Sequence, residues 1–209
     1  MKVILVNGSP HEKGCTFTAL NKVAETLKKE GIETQIFQLG KKPVPGCMAC
    51  GKCQETHRCV IDDKVNEFTE LARSTDGFVF GSPVYFASAT GAITSFMDRA
   101  FFSPERSLFH LKPAAAVVSA RRAGTTATFD QLNKYFTICQ MPIISSSYWN
   151  MVHGFTPDDV RRDLEGMQIM RNLGRNMAWF LRCKEAGAAA GVPWPEKEEQ
   201  ILTSFHGIQ

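Results

Sequence analysis

The chain has 209 residues, 44% of them hydrophobic and 22% charged, with a formal net charge of +3. This is the composition of an ordinary globular protein with a sizeable core, and it suits one domain spanning 1–209. The scattered, nearly balanced charge argues against nucleic acid, and no segment approaches the roughly 18 consecutive apolar residues of a membrane span, so the expected setting is the cytoplasm.

In chain order, Val3-Ile4-Leu5-Val6 reads as a strand buried on both faces. Gly8, Pro10 and Gly14 break it, and an amphipathic helix follows with Phe17, Leu20, Val23, Ala24 and Leu27 on one side. The opening apolar run is too short for a signal peptide. Glu33 to Leu39 is an edge strand, and Pro43, Pro45 and Gly46 open a cysteine-rich loop over 46–60. Asp62 and Asp63 are placed to cap a helix carrying Val65, Phe68, Leu71 and Ala72. Gly77 to Gly81 is the third strand, ending at Ser82-Pro83, and a helix with Ile93, Phe96, Met97, Ala100 and Phe101 follows.

Ala114 to Ser119 is the fourth strand, and its helix buries Phe129, Leu132 and Phe136. Met141-Pro142-Ile143-Ile144-Ser145 is expected as the fifth strand. A C-terminal helix and tail occupy 158–209, with one long helix from Asp158 to about Lys184 and an Ala- and Pro-containing tail facing solvent or a partner subunit. Alternating strands and helices imply a doubly wound parallel α/β sheet with right-handed crossovers, whose ligands sit beyond the C-terminal strand ends.

Three loops converge at that edge. After strand one, a small-residue loop meets a helix N-terminus, where free backbone N–H groups and the positive helix end suit a phosphate, with Ser9, Thr16 and Thr18 adding hydroxyls. The alternative is an ordinary connection whose hydroxyls cap the helix. Neither the Walker loop nor the dinucleotide glycine pattern is present. Gly81-Ser82-Pro83-Val84-Tyr85-Phe86 suits a flat heteroaromatic ring, with core packing as the alternative for the two aromatics.

Asn7-Gly8-Ser9-Pro10 with Thr16, then Gly81 to Phe86, then Ser119-Ala120-Arg121-Arg122-Ala123-Gly124 resemble the three flavin loops of the NADPH-dependent FMN reductase family. The resemblance implies a flavodoxin-like fold, with five parallel strands in the order 2-1-3-4-5, helices on both faces and a long C-terminal helix. It implies that Ser9, His11, Cys15, Thr16 and Thr18 surround an FMN phosphate. Pro83, Val84, Tyr85 and Phe86 would hold the isoalloxazine, and Ser119, Arg121, Arg122 and Gly124 would close its other side. Relatives often carry a basic residue near position 11 and Asn near position 15, where this chain has His11 and Cys15. Relatives are also dimers or tetramers, so a homodimer or homotetramer is expected.

Of seven cysteines, four crowd into Cys47-x-x-Cys50-x-x-Cys53-x5-Cys59. Such crowding in a cytosolic chain points to metal, cluster or redox chemistry. The first three suit consecutive corners of a 4Fe–4S cubane, with Cys59 as the fourth ligand, and the spacing is similar to that of the iron–sulfur flavoprotein branch of the family. Free thiols or a disulfide are the alternative, and zinc is the less attractive metal because structural zinc sites usually pair two separated knuckles. Asp98-Arg99 reads as a helix-terminal ion pair without a catalytic role, Trp149, Asn150 and His153 as candidate pocket lining, and Cys139 and Cys183 as core packing.

The function expected on these grounds is an FMN-dependent oxidoreductase. It would take a hydride from NAD(P)H and pass electrons to a flavin, quinone, nitro or azo compound, or protein acceptor, the flavin itself carrying the chemistry with no side-chain base. The rival is an iron–sulfur flavoprotein relaying single electrons, and a third reading is a non-enzymatic interaction module.

Overall fold

The computed structural model describes residues 1–196, 198, 201 and 203, so the far end of the expected C-terminal tail lies outside the described residues. The strands are β1 (Lys2–Asn7), β2 (Glu33–Gln38), β3 (Gly77–Tyr85), β4 (Ser88–Ala89), β5 (Ala114–Ala120) and β6 (Met151–His153). The α-helices are α1 (Cys15–Lys29), α2 (Cys53–Thr56), α3 (Lys64–Arg73), α4 (Gly91–Phe102), α5 (Thr125–Ile138), α6 (Pro157–Arg162) and α7 (Leu164–Ala189). The sheet order is β2-β1-β3-β5-β6, all parallel, with β4 folded back antiparallel on β3.

The β1 run is buried on both faces, and its period of two divides it between two cores. Ile4 and Val6 join a phenylalanine-rich core, with Phe68, Phe78, Phe80, Phe96 and Phe136 under α3, α4 and α5. Val3 and Leu5 join a Leu, Val and Met core under α1 and α7. The flavodoxin-like arrangement expected from sequence is therefore present, with three local departures outside the converging loops.

The fifth parallel position is not filled by residues 141–145. Ile143 makes only an isolated bridge to Ala114. Pro142 has no N–H to donate, and hydrogen bonds with α7 draw the following segment off the sheet. Asn176 donates to the Ser145 carbonyl at 2.9 Å, and Ser146 donates to the Ile169 carbonyl at 2.7 Å. The chain returns as β6, pairing Val118 with Met151 and Ala120 with His153. Asn150 lies buried across this detour, its backbone carbonyl accepting from Val118 N and its amide donating to the Ile144 carbonyl. It therefore holds the sheet edge rather than lining a pocket, while Trp149 and His153 are exposed.

The expected single C-terminal helix is two. Asp163 breaks it with non-helical backbone, accepting from Gly166 N at 2.9 Å and from His153 N at 2.7 Å. The second of these helices belongs to the core. Met167, Met170, Leu173, Met177 and Leu181 of α7 are buried, although Leu164 is exposed. Cys139 packs against the phenylalanine core as expected, whereas Cys183 is exposed.

The third departure is at Asp98 and Arg99, adjacent helical residues that diverge around the axis. Asp98 accepts from the Tyr135 hydroxyl, while Arg99 turns to Asp63 at 2.7 Å. Burial and the bond to Asp98 push the Tyr135 phenol well above its ordinary range.

Helices α1 and α7 approach closely at Gly174, where a Cβ would lie 2.8 Å from Thr26 Cβ. Gly174→Val should therefore lower unfolding free energy by about 1–3 kcal/mol, the usual cost of overpacking a filled contact. Urea unfolding of the two proteins measures it, and equal midpoints would show that the helices separate freely.

Candidate functional site

The site begins where β1 leaves the sheet. Gly8 N donates to the Gly81 carbonyl at 2.8 Å. A Cβ on Gly8 would stand 2.6 Å from Ile93 Cδ1, so only glycine passes between β3 and α4 here. Asn7, fully buried, then folds the loop: its Oδ1 accepts from Ser9 N at 3.1 Å and its Nδ2 donates to Gln38 Oε1 at 2.6 Å. Gln38 donates in turn to the Ser9 carbonyl at 2.7 Å. Asn7 and Gln38 shape the loop without appearing among the expected contacts. The signal that finds Asn7 is an uncharged amide at the end of an otherwise apolar strand.

Helix α1 starts at Cys15 behind Gly14, with no side-chain cap and no acidic residue in its first turn. Helix α5 starts in the same way behind Gly124. By contrast, α3, α4, α6 and α7 are capped by Asp63, Thr90, Thr156 and Asp163. Thr18 N makes the first intrahelical bond of α1, to Gly14 O at 3.0 Å, which leaves the N–H groups of Cys15, Thr16 and Phe17 outside the helical ladder. The two open helix ends border the loops, and both carry positive partial charge.

The hydroxyls are engaged within the protein. Ser9 Oγ accepts from His11 N at 3.1 Å, and Thr18 Oγ1 donates to Gly14 O at 3.0 Å. Thr16 Oγ1 and Ser119 Oγ lie 2.8 Å apart, both buried, and tie α1 to β5 across 103 residues. Ser9 Oγ only accepts here and keeps its own proton to donate, beside the backbone amides at the start of α1. The Cys15 thiol approaches the Gly154 carbonyl at 3.8 Å. Burial, with Asp159 nearby, holds that thiol above its ordinary pKa. The His11 side chain is exposed.

The third strand, expected to end at Ser82-Pro83, runs on through Pro83 and Val84 to Tyr85 and pairs with β4 as a hairpin. Its two-residue turn, Phe86-Ala87, has positive φ at both positions, 51° and 58°. This is the type I′ geometry of tight hairpins, built without glycine. Phe86 at the tip is 106% exposed and Tyr85 is exposed beside it. Gln131 of α5 anchors the arm, its Oε1 accepting from Ser88 Oγ at 2.8 Å and Ala89 N at 3.0 Å. Gly124, at φ 86°, abuts the same turn, where a Cβ would meet Ala87 Cα at 2.6 Å. The three loops are thus brought together, with Arg121 and Arg122 exposed on the last.

The cysteine loop forms a second concavity, on the α3–α4 side. Cys47, Cys50, Cys53 and Cys59 line it together with Met48, Val60, Ile61, Phe102 and Arg99. Left-handed backbone at Ala49, Gly51 and His57 folds the chain back around it. Burial first, then repulsion by Cys50, Cys59 and Cys47, raises the Cys53 thiol above its ordinary pKa. Among the described residues no group of three or more His, Cys, Asp or Glu side chains closes on a single metal ion. The donor set is sulfur alone within apolar walls, and such a set fits a thiolate-ligated cluster.

Removing the Thr16–Ser119 link gives a direct test of how the loops are joined. Ser119→Ala leaves a buried hydroxyl without its partner and should cost about 1–3 kcal/mol in urea unfolding. A variant as stable as the parent would mean that α1 and β5 are held together by packing alone.

Comparison with known proteins agrees with this geometry. Residues 1–156 match the family described as NADPH-dependent FMN reductase. An iron–sulfur flavoprotein of Methanocaldococcus jannaschii is 33% identical over 187 residues, covering 85% of this chain and 96% of that protein. In structure the chain is similar to a flavoenzyme NAD(P)H:(acceptor) oxidoreductase from Paracoccus denitrificans, with a TM-score of 0.67 and 13% identity over 87% of this chain and 97% of that one. It is also similar to a flavodoxin from the domain Archaea, with a TM-score of 0.59 and 15% identity over 87% of this chain and 99% of that one. At these identities the structural likeness establishes the flavodoxin-like fold. No helix among the described residues is long and apolar enough to cross a membrane. By its sequence match over the strands and loops that build the site, the chain belongs to the NADPH-dependent FMN reductase family, and is an NAD(P)H-dependent flavin oxidoreductase.

Proposed function

We propose that the chain is an iron–sulfur flavoprotein oxidoreductase, with FMN at the three converging loops and a 4Fe–4S cluster on Cys47, Cys50, Cys53 and Cys59. The observation that carries this reading is that two separate sites coexist in one chain: an open helix N-terminus flanked by a hairpin, and a cavity lined by four cysteines. Bound FMN would supply the hydride chemistry with NAD(P)H, and a cluster would supply one-electron transfer to a small-molecule or protein acceptor.

The chain's own part is positional. The N–H groups of Cys15, Thr16 and Phe17 face an anion with no competing carboxylate in their turn, which suits a single terminal phosphate. Pro83, Val84 and Tyr85 present a stiffened arm to one edge of a flat ring, and Ser119 to Gly124 bound the other. Arg121 and Arg122 offer exposed positive charge to a nicotinamide-cofactor phosphate.

Helix α4 joins the two sites. Thr90 at its start lies against Gly8, and Arg99 lies on the cysteine cavity. At the rise of an α-helix the two residues are about 14 Å apart along the axis. The exposed side chains of Tyr85, Phe86, Tyr148, Trp149 and Phe155 favour a homo-oligomer in which a second copy covers exposed aromatic surface. Light scattering should give at least twice the 23.2 kDa chain mass; a monomer at micromolar concentration would refute the assembly.

Anaerobic purification tests the cofactor reading directly. The released flavin should be FMN, and about four iron and four sulfide per chain should accompany it. Cys50→Ala should remove the iron and the broad visible absorbance while leaving FMN bound. Recovery of FAD would reject the phosphate site, and an iron-free anaerobic parent would reject the cluster.

A further inference from the structure

Among the four cysteines of the cavity, Cys59 has a distinctive setting. Asn66, itself buried, grips its backbone from both sides: Cys59 N donates to Asn66 Oδ1 at 3.1 Å, and Asn66 Nδ2 donates to Cys59 O at 2.9 Å. The sulfur faces Arg99. Arg99 Nε and Nη2 both donate to Cys59 Sγ, at 3.3 and 3.2 Å. No comparable cationic donor reaches Cys47, Cys50 or Cys53 among the described residues.

Arg99 is 1% exposed, an uncommon state for a guanidinium, and its burial is offset by Asp63. Asp63 takes both arms of the fork, Oδ2 from Nη1 at 2.7 Å and Oδ1 from Nη2 at 3.0 Å. The remaining donor capacity goes to the Ile61 carbonyl at 2.9 Å and the Pro45 carbonyl at 3.3 Å. The guanidinium therefore spans the entrance and exit of the cysteine loop, with its Nε edge on one sulfur. A planar fork fixed at this many points cannot turn away from Cys59 without breaking contacts on both sides of the loop.

We propose that Arg99 is a positioning residue that orients the Cys59 sulfur as a cluster ligand and raises the reduction potential of the cluster held there. This rests on the cluster reading above. Hydrogen bonds to a ligating sulfur, and a positive charge close to it, draw electron density from the thiolate and stabilise the reduced, more negative form. The effect is directional, because one corner of the four receives the donors. It makes the Cys59 corner the electronically distinct one, and it couples the cluster to α4, the helix that begins at the flavin loops.

The test uses the anaerobic full-length parent, Arg99→Lys and Arg99→Met, each assayed for FMN, iron and sulfide, and titrated spectroelectrochemically for the cluster potential. FMN content should be the same in all three, since Arg99 does not touch the flavin loops. The potential should fall from parent to Arg99→Lys, which keeps the charge but loses the fork, and further to Arg99→Met. A purely structural clasp would instead shed iron while leaving the potential of the cluster-loaded fraction at the parent value, and that result overturns the proposal. If Arg99→Met retains too little iron to titrate, Arg99→Lys decides alone: a lowered potential supports the proposal and an unchanged one overturns it. An iron-free parent overturns the cluster reading and this inference together, whereas a loaded parent with unshifted variants overturns only this inference.

Discussion

The hydrogen bond from Gly8 N to the Gly81 carbonyl is the constraint on which the flavin-side architecture depends. It extends the β1–β3 ladder one residue past the strand end and sets where the chain turns into α1. Its geometry requires bare backbone at both ends, because a Cβ on Gly81 would stand 2.7 Å from Leu20 Cδ1. Strand spacing in a parallel sheet is fixed by hydrogen bonding, so the helix start is fixed with it. Thr90 then locks α4 to the same point, its Oγ1 donating to Gly8 O at 3.1 Å. One junction thus positions the N-termini of two helices.

The two open helix ends are a departure from local stability rules. A side-chain cap typically contributes about 0.5–2 kcal/mol, and four helices of this chain have one. Glycine replaces it at α1 and α5, where unpaired amides face the loops. The hairpin tip shows the same pattern. Two non-glycine residues in left-handed backbone, one of them an exposed phenylalanine, concentrate strain at the tip of the β3–β4 arm. Stability forgone locally is supplied by the two cores.

The cysteine cavity follows the opposite principle, since its support is over-determined. Asn66, Asp63 and Arg99 together hold the backbone and sulfur of Cys59; Asn66 and Arg99 belong to helices packed on the phenylalanine core, and Asp63 caps the first of them. Asp63 serves two roles, capping α3 through Val65 N and neutralising Arg99. The short α2 and the left-handed turns at Ala49 and Gly51 then carry the other cysteines. A loop of this length is therefore anchored at its C-terminal corner by rigid elements and shaped by turns elsewhere.

What sequence alone determined are the features set by local period and punctuation. The doubly buried β1, the amphipathic α1, the Asp63 cap and the succession of three loops all follow from spacing over a few residues. The crowding of four cysteines was equally legible, because it is a matter of residue type and spacing alone. The tertiary structure decided what depends on distant partners. Residues 141–145 have strand character, yet α7 hydrogen bonds remove them from the ladder and Met151–His153 take the position. Asp163 ends a helix whose apolar stripe would continue, because His153 N claims its carboxylate. The hydroxyls of Thr16 and Thr18 contact Ser119 and Gly14, partners that only the assembled fold supplies. Arg99 looks like half of a helix-end ion pair, and only packing across 40 residues turns its guanidinium onto the Cys59 sulfur. Periodicity encodes which face of an element is buried, but hydrogen-bond partners across the fold are chosen by the assembled geometry.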